Sequence, residues 1–251
     1  MRLAVAGKGG SGKTSISGTM ARLLARSGHD VLAIDGDPNP NLALTLGIAP
    51  ERMDSLPTLQ SEHVDRKPTG PELTLPLEEL EASHGVTGPD GVRLLVMANP
   101  QHANTGCLCS RHAAVRSVIE LAATHDGDVC ILDTEASPEH FSRGTARHAD
   151  GVLVVVEPYF KSLETGRRMA VLGNDLGLRV ELVANKVRDD EERAAVEAFA
   201  ERHGIPLAAI IPYDEGMPAA ERAGAAPLDF AGDGPAVQAI AALAEREASR
   251  G

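Results

Sequence analysis

Eight residues near the N-terminus, Gly7-Lys8-Gly9-Gly10-Ser11-Gly12-Lys13-Thr14, constrain this chain more than anything else in it. Glycine, four residues and then Gly-Lys-Thr is the spacing of a loop that wraps the phosphates of a nucleotide. Its glycines permit positive φ, so successive backbone N–H groups can point inward and form a nest for anionic oxygens. A helix beginning near Lys13 adds the positive end of its dipole. Lys13 reaches the β- and γ-phosphates as a point charge, and the Thr14 hydroxyl is placed to ligate Mg2+. The flanks agree with this. Arg2–Ala6 is a short apolar strand that runs into the loop, and Ile16, Met20, Leu23 and Leu24 recur at helical spacing over Ser15–Arg26. The phosphate-binding set is therefore Gly7, Lys8, Gly9, Gly10, Ser11, Gly12, Lys13, Thr14 and Ser15, and the ligand is a nucleoside triphosphate. This chemistry requires Lys13 but gives no reason for Lys8.

The rest of the chain repeats the strand-then-helix order. Apolar runs at Leu3–Ala6, Val31–Ile34, Val92–Met97, Val129–Leu132, Val152–Val156, Val180–Ala184 and Leu207–Ile211 read as strands. Helical patterns lie near Ser15–Arg26, Arg111–Ala123, His140–His148, Ser162–Leu176, Asp190–Arg202 and Pro235–Glu247. Continuously apolar strands alternating with helices predict an α/β fold, a mostly parallel sheet flanked by helices on both faces. Residues 1–251 read as one domain. Ala49–Pro89, rich in proline and charge, reads as a surface insertion with no clear strand, although Glu78–Ala82 fits a helix.

Composition narrows the function. The net charge of −12 disfavours nonspecific nucleic-acid binding, which needs a basic face. The absence of Trp removes the best platform for stacking single-stranded bases. No run approaches the roughly 18 apolar residues that a membrane span requires, and the N-terminus reads as a core strand rather than a signal peptide. Three cysteines, an odd number, suit a reducing cytoplasm better than a disulfide framework.

In a parallel α/β sheet, ligands sit beyond the C-terminal strand ends, so residues that follow strands carry the chemistry. The second strand ends in Asp35-Gly36-Asp37-Pro38 and the fourth in Leu132-Asp133-Thr134. Asp133 is placed to meet Mg2+, usually through a water. Asp37 lies on the loop nearest the γ-phosphate, where it can join the Mg2+ site and orient the attacking water. Asp35 is expected to act behind them. Cys107 and Cys109, in Gly106-Cys107-Leu108-Cys109-Ser110, stand in a loop before a helix, whereas Cys130 lies in an apolar strand and reads as core.

Lys8 together with Lys13, and Asp37-Pro38 after the second strand, resemble the deviant Walker A ATPases, the family of the MinD and ParA proteins and the nitrogenase iron protein. The likeness to the branch of CooC-type nickel-insertion ATPases is carried further, by Val31–Pro38, Cys107-Leu108-Cys109, Glu139–Arg147, Glu157-Pro158, Asn185-Lys186-Val187 and Ile211-Pro212-Tyr213. The resemblance implies a MinD/ParA-like P-loop fold that hydrolyses ATP to ADP with Mg2+. It also implies a homodimer in which Lys8 reaches the partner's nucleotide, so that Lys8, Lys13 and Asp37 are the catalytic residues. Asn185, Pro212 and Tyr213 are the residues it implies for the nucleotide's base, and Lys186 joins them in binding the nucleotide. Where Glu135 stands, family members often carry Gly or Pro, and a carboxylate there would lie near the switch region.

Two thiolates do not complete a four-ligand site, but a two-fold axis would supply two more. Cys107 and Cys109 from each protomer could then hold one metal at the dimer interface. CooC-type proteins place a Cys-x-Cys at this location, thought to hold nickel, with zinc also accepted. Soft thiolates equally suit a four-iron cluster. Two free cysteines beside a helix start are the plain alternative. The expected function is an ATP-gated metallochaperone for a client such as carbon monoxide dehydrogenase. The competing functions are an iron–sulfur carrier or electron donor and a positioning ATPase of the MinD or ParA kind. The last needs a basic or membrane-seeking surface, and the final helix instead carries Glu245 and Glu247.

Overall fold

A computed structural model of the chain describes residues 1–68, 70–98, 109–123, 125–134 and 147–250. Among these, eight strands form one sheet in the order β10-β9-β8-β1-β7-β2-β6-β5. They are β1 (Arg2–Gly7), β2 (Asp30–Gly36), β5 (Val86–Thr87), β6 (Arg93–Val96), β7 (Asp128–Thr134), β8 (Gly151–Val156), β9 (Arg179–Val187) and β10 (Leu207–Pro212). All neighbours are parallel except β5, which runs antiparallel to β6. Seven of the eight strands, all but β5, are the ones the apolar runs predict.

Alternation along β1 shows how both faces are filled. Ala4 and Ala6 enter one core with Val115, Val118 and Ile119 of α4 (Cys109–Leu121) and with Met169 of α5 (Phe160–Asp175). The same core takes Val196 from α6 (Asp190–His203). Leu3 and Val5 enter the opposite core with Ile16, Met20 and Leu24 of α1 (Lys13–Arg26) and Ile240 and Leu243 of a long C-terminal helix, Pro235–Ala248. With only 2% aromatic residues, these cores are built from aliphatic side chains. Cys130 is fully buried in β7, as expected of a core cysteine.

The stretch Ala49–Pro89 departs from expectation. It holds three short strands rather than none: β5, and a hairpin of β3 (Val64–Lys67) against β4 (Gly70–Leu73). Glu78–Ala82 does lie in a helix, α3 (Leu77–His84). Leu59 and Leu80 are fully buried, and the Leu59 N–H donates to the Val96 carbonyl of β6 at 2.9 Å. The segment thus adds to a core as well as to the surface. The hairpin was hidden because Asp65-Arg66-Lys67-Pro68 and Pro71-Glu72 lack any apolar alternation. Three further short helices, α2 (Leu42–Thr45), α7 (Gly216–Arg222) and α8 (Pro227–Phe230), carry no strong pattern either, and the C-terminal helix is accordingly α9. The helix expected at His140–His148 falls almost wholly outside the described residues, as do Glu135 and Glu139.

The last helix is tied to the sheet by charge as well as by its apolar face. Glu247, fully buried, takes hydrogen bonds from Arg179 of β9 and from Arg246, each at 2.7 Å. Glu181 of β9 takes them from Arg246 and, at 2.6 Å, from Arg250.

Candidate nucleotide-binding site

The sheet reverses direction of winding around β1, with β7 and β2 on one side and β8, β9 and β10 on the other. A crevice forms at the C-terminal ends of strands at such a reversal. The loop from Gly7 to Gly12 opens there, directly between β1 and α1. Two of its glycines are sterically required. Gly7 has φ 151°, and a Cβ there would come within 2.4 Å of the Val155 carbonyl oxygen. Gly12 has φ 97°, and its Cβ would lie 2.3 Å from Asn185 Nδ2. These approaches let the neighbouring strands grip the loop.

The grip comes from β9. Asn185 Nδ2 donates to the Ser11 carbonyl at 2.7 Å, and Asn185 Oδ1 accepts the Lys186 N–H at 2.9 Å. Lys186 Nζ donates to the Gly10 carbonyl at 2.6 Å and pairs with Glu157 at 3.0 Å. Lys186 adopts φ 62°, a left-handed conformation costing a non-glycine residue about 1 kcal/mol. The carbonyls of Gly10 and Ser11 are thus held by side chains of β9, and the Ser11 N–H donates to the Lys8 carbonyl at 3.1 Å within the loop. Lys13, nearly buried, lies across its own loop with Nζ 3.4 Å from the Lys8 carbonyl oxygen.

The carboxylates meet opposite the loop. Parallel pairing of β2 with β7 sets Asp35 beside Asp133. Thr14 donates its hydroxyl to Asp133 Oδ2 at 2.6 Å and Ser17 donates to Oδ1 at 3.0 Å. Burial pushes Asp133 up to about 6 despite the Thr14 bond and the Lys13 charge, and pushes Asp35, beside the Asp133 charge, up to about 7. Asp35 accepts the N–H groups of Leu42 at 2.9 Å and Asp37 at 3.2 Å, so it shapes the loop that carries Asp37, the supporting position the sequence suggests. The half-buried Asp37 accepts the Asn39 N–H at 2.8 Å. Two buried carboxylates and a threonine hydroxyl form a hard-oxygen set short of positive charge, which fits Mg2+. Thr14 and Asp133 would hold the ion, whose charge would neutralise developing negative charge on the phosphates.

At the far edge, the Tyr213 N–H donates to the Val187 carbonyl at 2.8 Å, the Arg188 guanidinium stacks 4.5 Å from the Tyr213 ring centre, and the Tyr213 hydroxyl donates to Glu215 at 3.0 Å. Pro212 ends β10 beside them. The loop, Asn185, Lys186, Thr14 and Asp133 thus converge, while Pro212 and Tyr213 stand at the neighbouring strand end. Cys107 lies outside the described residues; Cys109 is the first residue of α4. Sequence reasoning gave no role to Glu157, although it follows an apolar strand as Asp35 and Asp133 do. It missed Tyr159 altogether.

Residues 3–228 match the model of the CobQ/CobB/MinD/ParA nucleotide binding domain. The carbon monoxide dehydrogenase accessory protein CooC of Rhodospirillum rubrum is 34% identical over 245 residues, covering 92% of this chain and 90% of that protein. An ATP-binding protein of Methanocaldococcus jannaschii is 33% identical over 226 residues, 86% of each chain. The fold superposes on the septum site-determining protein MinD of Pyrococcus horikoshii, solved with Mg-ADP, at a TM-score of 0.71 and 20% identity, covering 98% of this chain and 95% of that one. Among the described residues, no helix is long and apolar enough to cross a membrane. The phosphate loop, the carboxylates behind it and these likenesses agree: the chain belongs to the CobQ/CobB/MinD/ParA nucleotide-binding family and is a P-loop ATPase of that kind.

Proposed function

We propose that this ATPase is a dimeric metallochaperone. ATP binding closes two protomers face to face, with Lys8 of each reaching the nucleotide of the other. Closure brings two Cys107–Cys109 pairs together, and their four thiolates hold one nickel or zinc ion for a client metalloenzyme. Asn185, Pro212 and Tyr213 line the base, Lys186 joins them in binding the nucleotide, and Asp37 orients the attacking water. The observation that carries this reading is the combination, in one chain, of a second lysine in the phosphate loop and a Cys-x-Cys pair whose second cysteine, Cys109, is the first residue of α4. A helix N-terminus lowers the pKa of a nearby thiol and favours the metal-binding thiolate. The 34% identity to a carbon monoxide dehydrogenase accessory protein supports a client of that kind.

The positioning reading fares worse. A membrane-targeting terminal helix would have to leave the sheet, yet α9 is held there by Glu181, Glu247 and three arginines. Metal analysis of anaerobically purified protein, with native mass measured with and without ATP, tests the proposal. One nickel or zinc per dimer is expected, and none in Cys107→Ser/Cys109→Ser, which should still bind ATP. A brown, iron-containing dimer would instead establish an iron–sulfur carrier. Unchanged metal stoichiometry in the double variant would remove the two cysteines as ligands.

A further inference from the structure

We infer that Tyr159, oriented by Glu157, is a positioning residue that holds Lys8 within its own protomer. The inference rests on the proposed role of Lys8 in dimer closure. Lys8 Nζ lies 3.5 Å from the Tyr159 hydroxyl and 5.3 Å from the centre of its ring, so the ammonium sits over the hydroxyl end. The Tyr159 hydroxyl donates its proton to Glu157 Oε2 at 3.0 Å. Its oxygen therefore turns lone pairs rather than a proton toward Lys8, and the Glu157 charge makes that oxygen a better acceptor.

The support is rigid. Tyr159 immediately precedes α5, its carbonyl accepts the N–H groups of Ser162 at 3.0 Å and Leu163 at 3.1 Å, and its own N–H donates to the Glu157 carbonyl at 2.8 Å. Glu157 is fixed in turn by Lys186, which also holds the Gly10 carbonyl of the phosphate loop. Lys8 is thus joined through two side chains to the residue that shapes its own loop. A lysine that must reach across an interface has first to leave this seat, and it leaves in both protomers at once. The contact therefore opposes closure.

The test is Tyr159→Phe, which keeps the ring and removes the hydroxyl that faces both Lys8 and Glu157. Dimer dissociation constants are measured by sedimentation with saturating ATP in the wild type, Tyr159→Phe, Lys8→Ala and the double variant. Release of this exposed hydrogen bond from Lys8 is expected to change closure about threefold per protomer, hence to tighten the Tyr159→Phe dimer about tenfold. In the Lys8→Ala background, dimerisation is weak and Tyr159→Phe should change it no further. Loss of the dimer in Lys8→Ala with no tightening in Tyr159→Phe would overturn the role of Tyr159 alone. A Lys8→Ala protein that still dimerises with ATP would overturn the reading of Lys8, and the inference with it.

Discussion

The carboxamide of Asn185 donates to the carbonyl oxygen of Ser11 at 2.7 Å, joining residues 174 positions apart in the chain. It closes the distance from β9, two strands from β1, to the loop that β1 feeds. The same amide fills the space that a Cβ on Gly12 would need. Asn185 therefore shapes the phosphate loop through Nδ2.

Asn185→Ala should accordingly weaken ATP and ADP alike. The Ser11 carbonyl would lose its partner at a nearly buried position, a cost of about 1–2 kcal/mol, or roughly five- to thirtyfold in affinity. Calorimetric titration with both nucleotides checks this. A loss for one nucleotide only, or none, would show that the loop keeps its shape without Asn185.

Asp35 and Asp133 set the pH dependence of the nucleotide-free protein. Burial, and then the charge of Asp133, push Asp35 up to about 7, and burial pushes Asp133 up to about 6. Both bind their protons more tightly folded than unfolded, so stability falls as pH rises. The penalty is absent near the unfolded carboxylate pKa of about 4 and complete once pH has passed about 7. His63 and His148, held low by burial, oppose this trend only below the ordinary histidine value of about 6.5. The melting temperature should therefore drop as pH rises from about 6.5 to about 7, where the histidines no longer oppose it, and level off above. In Asp35→Asn the drop should flatten; an equally steep curve would acquit Asp35.

What the sequence makes legible here is what local pattern controls. Gly7–Thr14, the apolar strands and the carboxylates at strand ends are all visible as spacing within a dozen residues. The pairing of Asp35 with Asp133 is implied once both strands are parallel neighbours. Tyr159 over Lys8 is not, because nothing around Tyr159 distinguishes it from any tyrosine before a helix; only the sheet order, with β8 beside β1, brings them together. The β3–β4 hairpin escapes for another reason. Its four-residue strands carry Asp65, Lys67, Pro71 and Glu72, so its pairing comes from packing against α4 rather than from propensity, as the hydrogen bond from Ser117 to the Pro71 carbonyl at 3.0 Å shows.

The tie between α9 and β9 gives a stability prediction. Glu247 is fully buried and faces Arg179 and Arg246, while Glu181 holds Arg246 and Arg250. Truncating Glu247 to Ala leaves guanidinium groups without their carboxylate and opens a void. The loss should be about 2–4 kcal/mol, discounted for the partial exposure of the arginines. Urea unfolding measures it. A change under about 0.5 kcal/mol, the size of an ordinary surface substitution, would mean that the apolar face of α9 holds the helix unaided.

Metal and nucleotide should be linked reciprocally. ATP acts at the phosphate loop, and in the proposed function metal acts at Cys107 and Cys109. If closure of one dimer serves both, then whatever factor ATP contributes to metal affinity, metal must return to the ATP-bound dimer. Stoichiometric Zn2+ or Ni2+ should tighten the ATP-bound dimer about tenfold, within the usual range of such couplings, and a chelator should reverse it. In Cys107→Ser/Cys109→Ser the metal response should vanish while the ATP response remains, because Lys8 and the loop are untouched. In Lys8→Ala both should fall together, since the thiolates of one protomer make only half a site. Sedimentation under the four combinations of ATP and metal decides the matter. A dimer constant indifferent to metal would place the cysteines outside the closing interface, and a metal response without ATP in Lys8→Ala would uncouple the two sites.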